Sequence, residues 1–505
     1  MFAKTASLVL LCVLSSVAHA TQDKPLQLFT KITPSDAPPA PDSLTVWNSS
    51  FDVVGLANMP TVVNVHIPRE TGDLYVNVTM ETMDRRQGFG ERDPVACRDG
   101  DQDACTIVAI PGFPPEKFSY TWIGQGNGYE MRLTVHQGYA VGVISGEIGR
   151  FAVYWDSLHE LNQPFFNLND NLPDQGSASA QVHEALVAST SSPPTVWTDE
   201  KVSAATVGRM KFKAPSTIAS NTQLDLLILV TNQARIQAGG SPSDCRDMTG
   251  AMTYIYQNIN SMNTAFARSL IPAQIGGVTV ARLNGYTVVP YAGNPATIVQ
   301  NLRNIQGRPN IENFRNLVGA DVVSTLLDTQ ANLGVCGASF IQRANGCGVA
   351  GSTCTNGAAF SNWTYLLETI QCGIVDTFTH ELGHTLGAEH DPFNSSVGST
   401  PGLASFTYSF GYPKPGTGGA IGFETIMSQQ LDPAHYYRLL QFSNPNVTYK
   451  GIPTGDLIAS TTVASHYNAL TLTNLAPFTA AFRSRPNLIF ASGFDEAIAC
   501  PAVNW

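Results

Sequence analysis

The pattern of apolar and polar residues divides the chain into two parts. Between residues 21 and 174, short runs in which apolar and polar residues alternate predict β-strands, and Asn127-Gly128 is typical of a two-residue hairpin turn. Between residues 219 and 484, apolar runs typical of buried strands alternate with helical repeats. The pattern predicts a β-rich N-terminal domain and an α+β domain, joined by an exposed linker at residues 175–218.

The elements of the second domain are predicted from their periodicity. LDLLILVT from Leu224 is a buried strand, and VTVARL and DVVSTLL are further strands. NIENFRNLVG is a helix that ends at Gly319. This order predicts a twisted mixed sheet backed by long helices. One helical face is formed by residues at spacings of three and four, namely Met248, Met252, Ile255, Ile259, Met262 and Phe266.

The two ends of the chain are predicted to lie outside these domains. Residues 1–20 have Lys4, an apolar run and a small-residue cleavage site after Ala20, which predicts a secretory signal peptide. Residues 485–505 form a C-terminal tail. No later stretch has eighteen consecutive apolar residues, so membrane insertion is not expected. The expected location is extracellular, reached directly or through the periplasm.

Charge and cysteine content agree with an exported protein. The formal net charge is -11, which argues against nucleic acid as a partner. Eight cysteines remain after the signal peptide, an even number that favours disulfides in an oxidising compartment. Cys97 and Cys105 are expected to close a local loop, and Cys245 pairs with Cys500 as the remaining option. A second group has three possible connectivities and consists of Cys336, Cys347, Cys354 and Cys372.

The stretch HELGHTLGAEHD contains a complete set of metal ligands with a base. His380 and His384 stand four residues apart, so on a helix both imidazoles leave the same face. Glu381 lies beside them, where a zinc-activated water needs a proton acceptor. Gly387 allows a left-handed turn that brings His390 to the same ion. A structural zinc site would use four ligands rich in cysteine and would not need the glutamate.

These residues resemble the metzincin metallopeptidases, whose extended motif is HExxHxxGxxH followed by a Met-turn. Met427 lies 37 residues after His390 and is the only later methionine. Asp391, directly after the third histidine, resembles the reprolysin type, and the sequence is similar to bacterial peptidyl-Asp metalloendopeptidases. The resemblance extends more weakly from about Leu224 to Arg483. It implies that Met427 forms an apolar floor under the histidines without binding the metal.

The resemblance also implies a function. It implies a secreted endopeptidase that uses one Zn²⁺ ion, a zinc-activated water and Glu381 as general base, with proteins or peptides as substrates. Tyr436, Tyr437 and Arg438 fall where the family lines a substrate pocket. Ala358, Ala359 and Phe360 fall where an edge strand pairs with the extended substrate.

Two other functions stay open at this point. A β-rich adhesive or binding protein could retain zinc only for structure, although the intact Glu381 argues against it. A zinc hydrolase of a non-peptide bond would use the same ligands, but the third histidine together with a Met-turn favours peptidases.

The N-terminal domain is predicted to be an inhibitory pro-region, released by cleavage near 175–201. VACRDGDQDAC contains both a cysteine and aspartates of the kind that block zinc in some precursors, but it departs from the known cysteine-switch motif. Asp99, Asp101 and Asp103 are also calcium candidates. The loop lacks a glycine at position six and a carboxylate at position twelve, so a surface turn is the better interpretation.

Overall fold

The structure is a computed structural model of the 505-residue chain. It describes residues 25–34, 45–67, 73–85, 95–96, 119–136, 139–146, 149–155, 164–168, 222–240, 247–283, 286, 288–289, 296–328, 336–342, 361–370, 376–395, 397–417, 421–429, 436–458, 460 and 462–484.

The N-terminal region forms one sheet of ten strands, in agreement with the strand-like pattern of its sequence. The strand order is β1-β4-β5-β7-β8-β9-β10-β11-β3-β2, and neighbours are antiparallel except β1 and β4. A buried cluster with residues of β2, α1, β4, β5, β7, β8, β9 and β10 forms the apolar core of this sheet. Its elements are β1 (Leu26–Gln27), β2 (Phe29–Pro34), β3 (Thr45–Phe51), α1 (Val53–Ala57), β4 (Val62–Ile67), β5 (Leu74–Arg85), β7 (Ser119–Gly126), β8 (Tyr129–His136), β9 (Tyr139–Gly146), β10 (Gly149–Trp155) and β11 (Pro164–Leu168).

The hairpin predicted at Asn127-Gly128 is confirmed. It joins β7 to β8, Gly126 pairs with Tyr129, and both turn residues have positive φ. Strand β8, with the sequence YEMRLTVH, alternates strictly between apolar and polar residues. Its apolar residues enter the core of the sheet, yet its polar residues are buried as well. The polar face of β8 is therefore covered by another part of the protein.

The second domain is built on a mixed sheet, as predicted. The strand order is β15-β16-β14-β12-β13-β6, and all neighbours are parallel except β15, which runs antiparallel to β16. The outermost strand β6 comes from the N-terminal region and pairs with β13. The strands are β6 (Val95–Ala96), β12 (Thr222–Thr231), β13 (Ala273–Leu283), β14 (Val322–Leu327), β15 (Gly337–Ser339) and β16 (Tyr365–Thr369).

Helices cover both faces of this sheet. On one face, α3, α6 and α7 bury a core with alternate residues of β12 such as Leu226 and Ile228. On the other face, α4 and α5 pack against Leu227 and Leu229. Burial on both faces explains the continuous apolar run of β12. The helices are α2 (Asn232–Gln237), α3 (Thr249–Arg268), α4 (Ala296–Gln306), α5 (Pro309–Val318), α6 (Thr377–Thr385) and α7 (Asn468–Thr479).

Two helix predictions are confirmed in detail. The six residues predicted as the apolar face from Met248 to Phe266 are all buried in the core. Helix α5 ends at Gly319, which adopts the left-handed conformation at φ 69°.

The segment after α6 contains a short 3₁₀ turn and two small sheets. The turn spans Pro401–Leu403. One sheet consists of β17 (Pro413–Lys414), β18 (Gly422–Glu424) and β19 (Tyr436–Arg438), and the other of β20 (Thr448–Tyr449) and β21 (Ile452–Pro453).

Several predictions concern residues outside the described ranges and stay predictions. They are the signal peptide at 1–20, the linker at 175–218, the tail at 485–505 and the aspartates of the calcium candidate. Cys336 is described; it is buried and disulfide-bonded. The other paired candidates lie outside, namely Cys97, Cys105, Cys245, Cys347, Cys354, Cys372 and Cys500. None of the helices within the described ranges combines the length and hydropathy that a membrane-spanning helix requires.

Candidate metal centre

Helix α6 carries the first two predicted ligands, His380 at its fourth residue and His384 next to its last residue. The helix closes with two bonds in which the Gly387 amide donates to the His384 carbonyl at 2.8 Å and the Ala388 amide donates to the Gly383 carbonyl at 2.9 Å. This is the Schellman arrangement, and Gly387 has the positive φ of 90° that it requires. A Cβ atom at Gly387 would lie 2.4 Å from the Leu475 side chain. The predicted left-handed turn at Gly387 is therefore confirmed.

This turn brings the three histidines together. The Nε2 atoms of His380 and His384 lie 3.1 Å apart, those of His380 and His390 lie 3.1 Å apart, and those of His384 and His390 lie 2.9 Å apart. All three side chains are buried. Among the described residues they form the one cluster with metal-ligand geometry.

The hydrogen bonds of the rings fit a metal ion. His380 Nδ1 lies 2.9 Å from the Ile426 carbonyl oxygen, and His384 Nδ1 lies 2.8 Å from the Ala388 carbonyl oxygen. Because a carbonyl oxygen only accepts, both Nδ1 atoms carry the proton, and both Nε2 atoms present a lone pair. Lone pairs that converge repel one another without a cation between them. Zinc with bonds of about 2.0–2.1 Å in a tetrahedron separates its nitrogens by roughly 3.3 Å, which these distances approach.

Glu381 lies on the same helix and is fully buried. Its Oε2 atom accepts a hydrogen bond from Ser339 Oγ of strand β15 at 2.8 Å. Gly337 of the same strand also lies close to Glu381, since a Cβ atom added to this glycine would lie 2.8 Å from Glu381 Oε1. Strand β15 thus orients the side chain of the predicted base.

A second carboxyl group lies near Glu381 and was not predicted. Burial, and then the negative charge of Glu381, raise the pKa of Glu368 to about 8. Asn258 Nδ2 of α3 donates to Glu368 Oε1 at 2.7 Å. The one sequence signal was a glutamate inside the apolar strand YLLET. Ser339 and Asn258 carry no signal of their own, because they come from separate elements.

Met427 and Asp391 connect the histidines to the turn that follows β18. A Cβ atom on Gly383 would lie 2.7 Å from Met427 Sδ, so the thioether packs directly against α6 between its two ligands. The Asp391 carboxylate accepts hydrogen bonds from the Gln429 amide and from Asn394 Nδ2, both at 2.9 Å. Ile426, which precedes Met427, supplies the carbonyl that binds His380. The turn therefore supports the first ligand and is tied to the third.

The predicted pocket residues Tyr436, Tyr437 and Arg438 form strand β19, beside this turn. Arg438 is buried; its Nε donates to Glu424 Oε1 at 2.8 Å and its Nη2 donates to the Ser428 carbonyl at 2.9 Å. Its charge is thus compensated by Glu424. Tyr437 is buried, and its hydroxyl hydrogen-bonds to Ser145 of the N-terminal sheet. Burial, and then the negative charge of Glu130, raise the pKa of Tyr437 well above the usual range.

The predicted edge-strand residues Ala358, Ala359 and Phe360 lie outside the described residues. In the described part of the sheet, the antiparallel edge strand beside α6 is β15, Gly337–Ser339. The sequence did not single out this strand, because three residues are too few for a recognisable alternation.

Comparison with known proteins adds the following similarities. The family model described as Metallo-peptidase family M12 (Reprolysin_5) matches residues 220–443. A peptidyl-Asp metalloendopeptidase of Stenotrophomonas maltophilia (strain R551-3) is 28% identical over 267 residues, which cover 51% of this chain and 52% of that protein. A peptidyl-Asp metalloendopeptidase of Xanthomonas campestris pv. campestris is 27% identical over 270 residues, which cover 52% and 54%.

A solved structure, of metalloproteinase-II from Bacteroides fragilis, matches 71% of this chain and 89% of its own, with a TM-score of 0.33 and 12% identity. The chain spans about half the length of the curated relatives that it matches.

Proposed function

We propose that the protein is a zinc-dependent endopeptidase, because residues 220–443 match the model of metallopeptidase family M12. The observation that carries the proposal is the convergence of three histidine Nε2 atoms within 3.1 Å of one another, next to Glu381. Three ligands leave one coordination position for a reacting water, which is the arrangement of a catalytic site.

The residues of the chain divide the chemical work. A zinc ion held by the three histidines would supply a Lewis acid that polarises a carbonyl group and lowers the pKa of water to about 7. Glu381 accepts a proton from the attacking water and then donates it to the leaving amine nitrogen. Ser339 holds Glu381 by the hydrogen bond at 2.8 Å.

Glu368 assists by staying neutral. Because its pKa is raised to about 8, it is largely protonated at pH 7 and adds little negative charge beside Glu381. Glu381 is the proposed proton acceptor, and Glu368 is the neighbouring carboxyl group that stays uncharged.

The proposed substrates are proteins and peptides. The two relatives are named peptidyl-Asp metalloendopeptidases, which supports cleavage beside aspartate. Arg438, one of the predicted pocket residues, has the charge to bind an acidic side chain, but it is paired with Glu424. The pairing argues against Arg438 as the specificity determinant. Strand β15 is the proposed partner for the main chain of an extended substrate, because it is the antiparallel edge beside α6.

Secretion and a pro-region role of the N-terminal domain are part of the proposal. They rest on the signal-peptide pattern of residues 1–20 and on the predicted linker at 175–218. N-terminal sequencing of the active extracellular form tests both. A first residue within the linker is expected for the catalytic fragment, and an active form in which every chain begins at Thr21 would contradict cleavage of a pro-region.

The proposed activity is tested with peptides released from a denatured protein mixture and identified by mass spectrometry. Glu381→Ala should retain zinc and lose about 10²–10⁴-fold in turnover, because the proton acceptor is gone. Asn304→Ala, at an exposed position on α4, is the matched control and should cleave normally. Consistent cuts beside aspartate would support the narrower specificity. Cleavage by Glu381→Ala at the normal rate would exclude the proposed mechanism.

A further inference from the structure

The polar face of the long helix α3 is covered by the N-terminal sheet. The apolar face of α3 enters the core of the second domain, but polar residues on its other side, among them Gln257, Asn260 and Ser261, are also buried. They face strands β7 and β8 of the N-terminal sheet. This explains why both faces of β8 are buried.

The contacts across this surface are side-chain hydrogen bonds. Thr134 of β8 donates to Gln257 Oε1 at 2.5 Å, and Asn260 Nδ2 donates to Thr121 of β7 at 2.6 Å. His136 packs edge-on against Tyr256 with ring centroids 4.8 Å apart. The interface therefore consists of paired polar groups along several turns of α3.

Each domain has its own apolar core. The core of the N-terminal sheet contains residues of that sheet and its helix α1. The large core of the second domain contains one described residue of the N-terminal sheet, Val141. Polar interfaces between separate cores are typical of domains that associate without being fused into one folding unit. If the N-terminal sheet dissociated, water would form hydrogen bonds with the polar side chains of α3 that the sheet covers.

A chain of buried charges lies at the centre of the interface. The Arg132 guanidinium of β8 binds both carboxylate oxygens of Asp376, one of them at 2.8 Å. It also lies 2.9 Å from Glu130, which in turn pairs with Arg268 of α3. The side chains of Arg132 and Asp376 are only 4% and 7% exposed. Arg268 extends the chain to Glu81 of β5, so five charges alternate in sign.

Asp376 is the residue that precedes the zinc helix. It adopts the left-handed conformation at φ 69°, and its side chain does not cap α6. Its carbonyl accepts the first helical hydrogen bond, from the amide of His380, at 2.9 Å. L-residues other than glycine rarely adopt this conformation unless the surroundings hold them in it. Asp376 thus links the side chain of Arg132 to the backbone of His380, the first proposed zinc ligand.

A second attachment lies at the far edge of the catalytic sheet. Val95 and Ala96 form β6, which pairs in parallel with Val280 and Ala281 of β13. Strand addition provides main-chain hydrogen bonds without a shared core. The N-terminal region therefore holds the second domain at two separate places.

We propose that the N-terminal domain is a separable docking partner that stays bound to the catalytic domain after the linker is cut, and that Arg132 is a positioning residue for the zinc helix through Asp376. The effect on the zinc helix rests on the proposed function, because α6 matters only as the carrier of the ligands. The docking itself does not depend on that function. Both parts are measured without an activity assay.

The first experiment measures amide hydrogen exchange of α6 in the full chain. Arg132→Met leaves the buried carboxylate of Asp376 without its cation, whereas Glu130 keeps Arg268, so the first turn of α6 should exchange about 30-fold faster or more. Asp376→Asn removes the same charge pair while asparagine tolerates the left-handed backbone, and it should loosen the same amides. Combining both changes should cost less than the sum of the single effects.

Arg303→Met is the matched control, since Arg303 is exposed on α4. It should leave the exchange of α6 unchanged. Equal exchange of α6 in Arg132→Met and Arg303→Met would overturn the positioning role. Should Arg132→Met fail to fold, Asp376→Asn alone decides, because unchanged exchange in that variant overturns the role equally.

The second experiment tests docking with a site-specific protease sequence inserted within residues 175–201. It is cut after folding, in the Glu381→Ala background so that self-cleavage does not interfere. Native mass spectrometry and size-exclusion chromatography at about 0.15 M and about 1 M salt should find both fragments together, because buried ion pairs are weakly screened. With Arg132→Met the fragments should separate. Separation of the unsubstituted fragments, or a covalent link on a non-reducing gel, would overturn non-covalent docking.

Discussion

The two ends of helix α6 are held in different ways. At its C-terminal end, a turn of a few residues that closes at Gly387 brings His390 back to His384 and to His380, one turn earlier on the helix. At its N-terminal end, Asp376 is held by Arg132, which lies 244 residues away in the chain. Both ends are buried, and both depend on charged or metal-binding groups.

The difference lies in the range of the interactions. The ligand end is encoded within one short stretch, because helix geometry and one left-handed turn bring the rings together. The other end needs a second domain to supply a cation, since Asp376 makes no cap for its own helix. Substitutions at the ligand end should therefore act on zinc binding, whereas those at the other end should act on the rigidity of the helix and on domain attachment.

His390→Ala should have the largest effect on the metal centre. Loss of one of three ligands should weaken zinc binding on the order of 10²-fold or more, about 3 kcal/mol. Zinc content after dialysis against a weak chelator measures it. His66→Ala, in the N-terminal sheet, is the matched control. Full zinc content in His390→Ala would mean that the three Nε2 atoms are not the ligands. Faster amide exchange next to Asp376 in this variant would mean that the two ends of α6 are not held independently.

Asp391→Ala should have an intermediate effect on the same end. Its carboxylate joins the third ligand to the segment after Met427 through Gln429 and Asn394. Supporting groups of this kind are worth about 10–100-fold in metal affinity, and a loss in this range is expected because the carboxylate fixes the residue that follows the third ligand. Competition with a chromogenic chelator measures the change. An unchanged zinc affinity would mean that the helix and the turn at Gly387 position the ligands without help from Asp391.

Glu368→Gln should have the smallest effect on zinc and a clear effect on pH dependence. The folded protein raises the pKa of Glu368 from 4.5 to about 8, so its neutral form stabilises the fold. That stabilisation is complete below pH 4.5 and is lost as the pH rises toward about 8, by about 1.4 kcal/mol per pH unit. Glutamine cannot ionise and still accepts the bond from Asn258.

The free energy of unfolding, measured by denaturant titration between pH 5 and 9, checks this prediction. The variant should gain stability relative to the unsubstituted protein up to about pH 8, the value of the raised pKa, and the difference should then stay constant. Parallel pH profiles for the two proteins would show that Glu368 is ionised in the folded state.

Helix α3 illustrates how far the sequence predicted the fold. Its apolar face, from Met248 to Phe266, was predicted from spacing and is buried as expected. Its opposite face has the polar composition of a solvated surface, and the polar residues of β8 have the same pattern. Periodicity separates apolar from polar faces, but it does not reveal that two polar faces bury each other.

The sequence by itself determined the proposed ligand set His380, His384 and His390 and the turn at Gly387, because each depends on spacing within one helix or one short loop. The tertiary structure decided the partners of Glu381 and Asp376. Ser339, Glu368 and Arg132 come from three other strands, and no local pattern brings them to α6. Their positions follow from the sheet order and from the docking of one domain on another, which depend on contacts between distant parts of the chain.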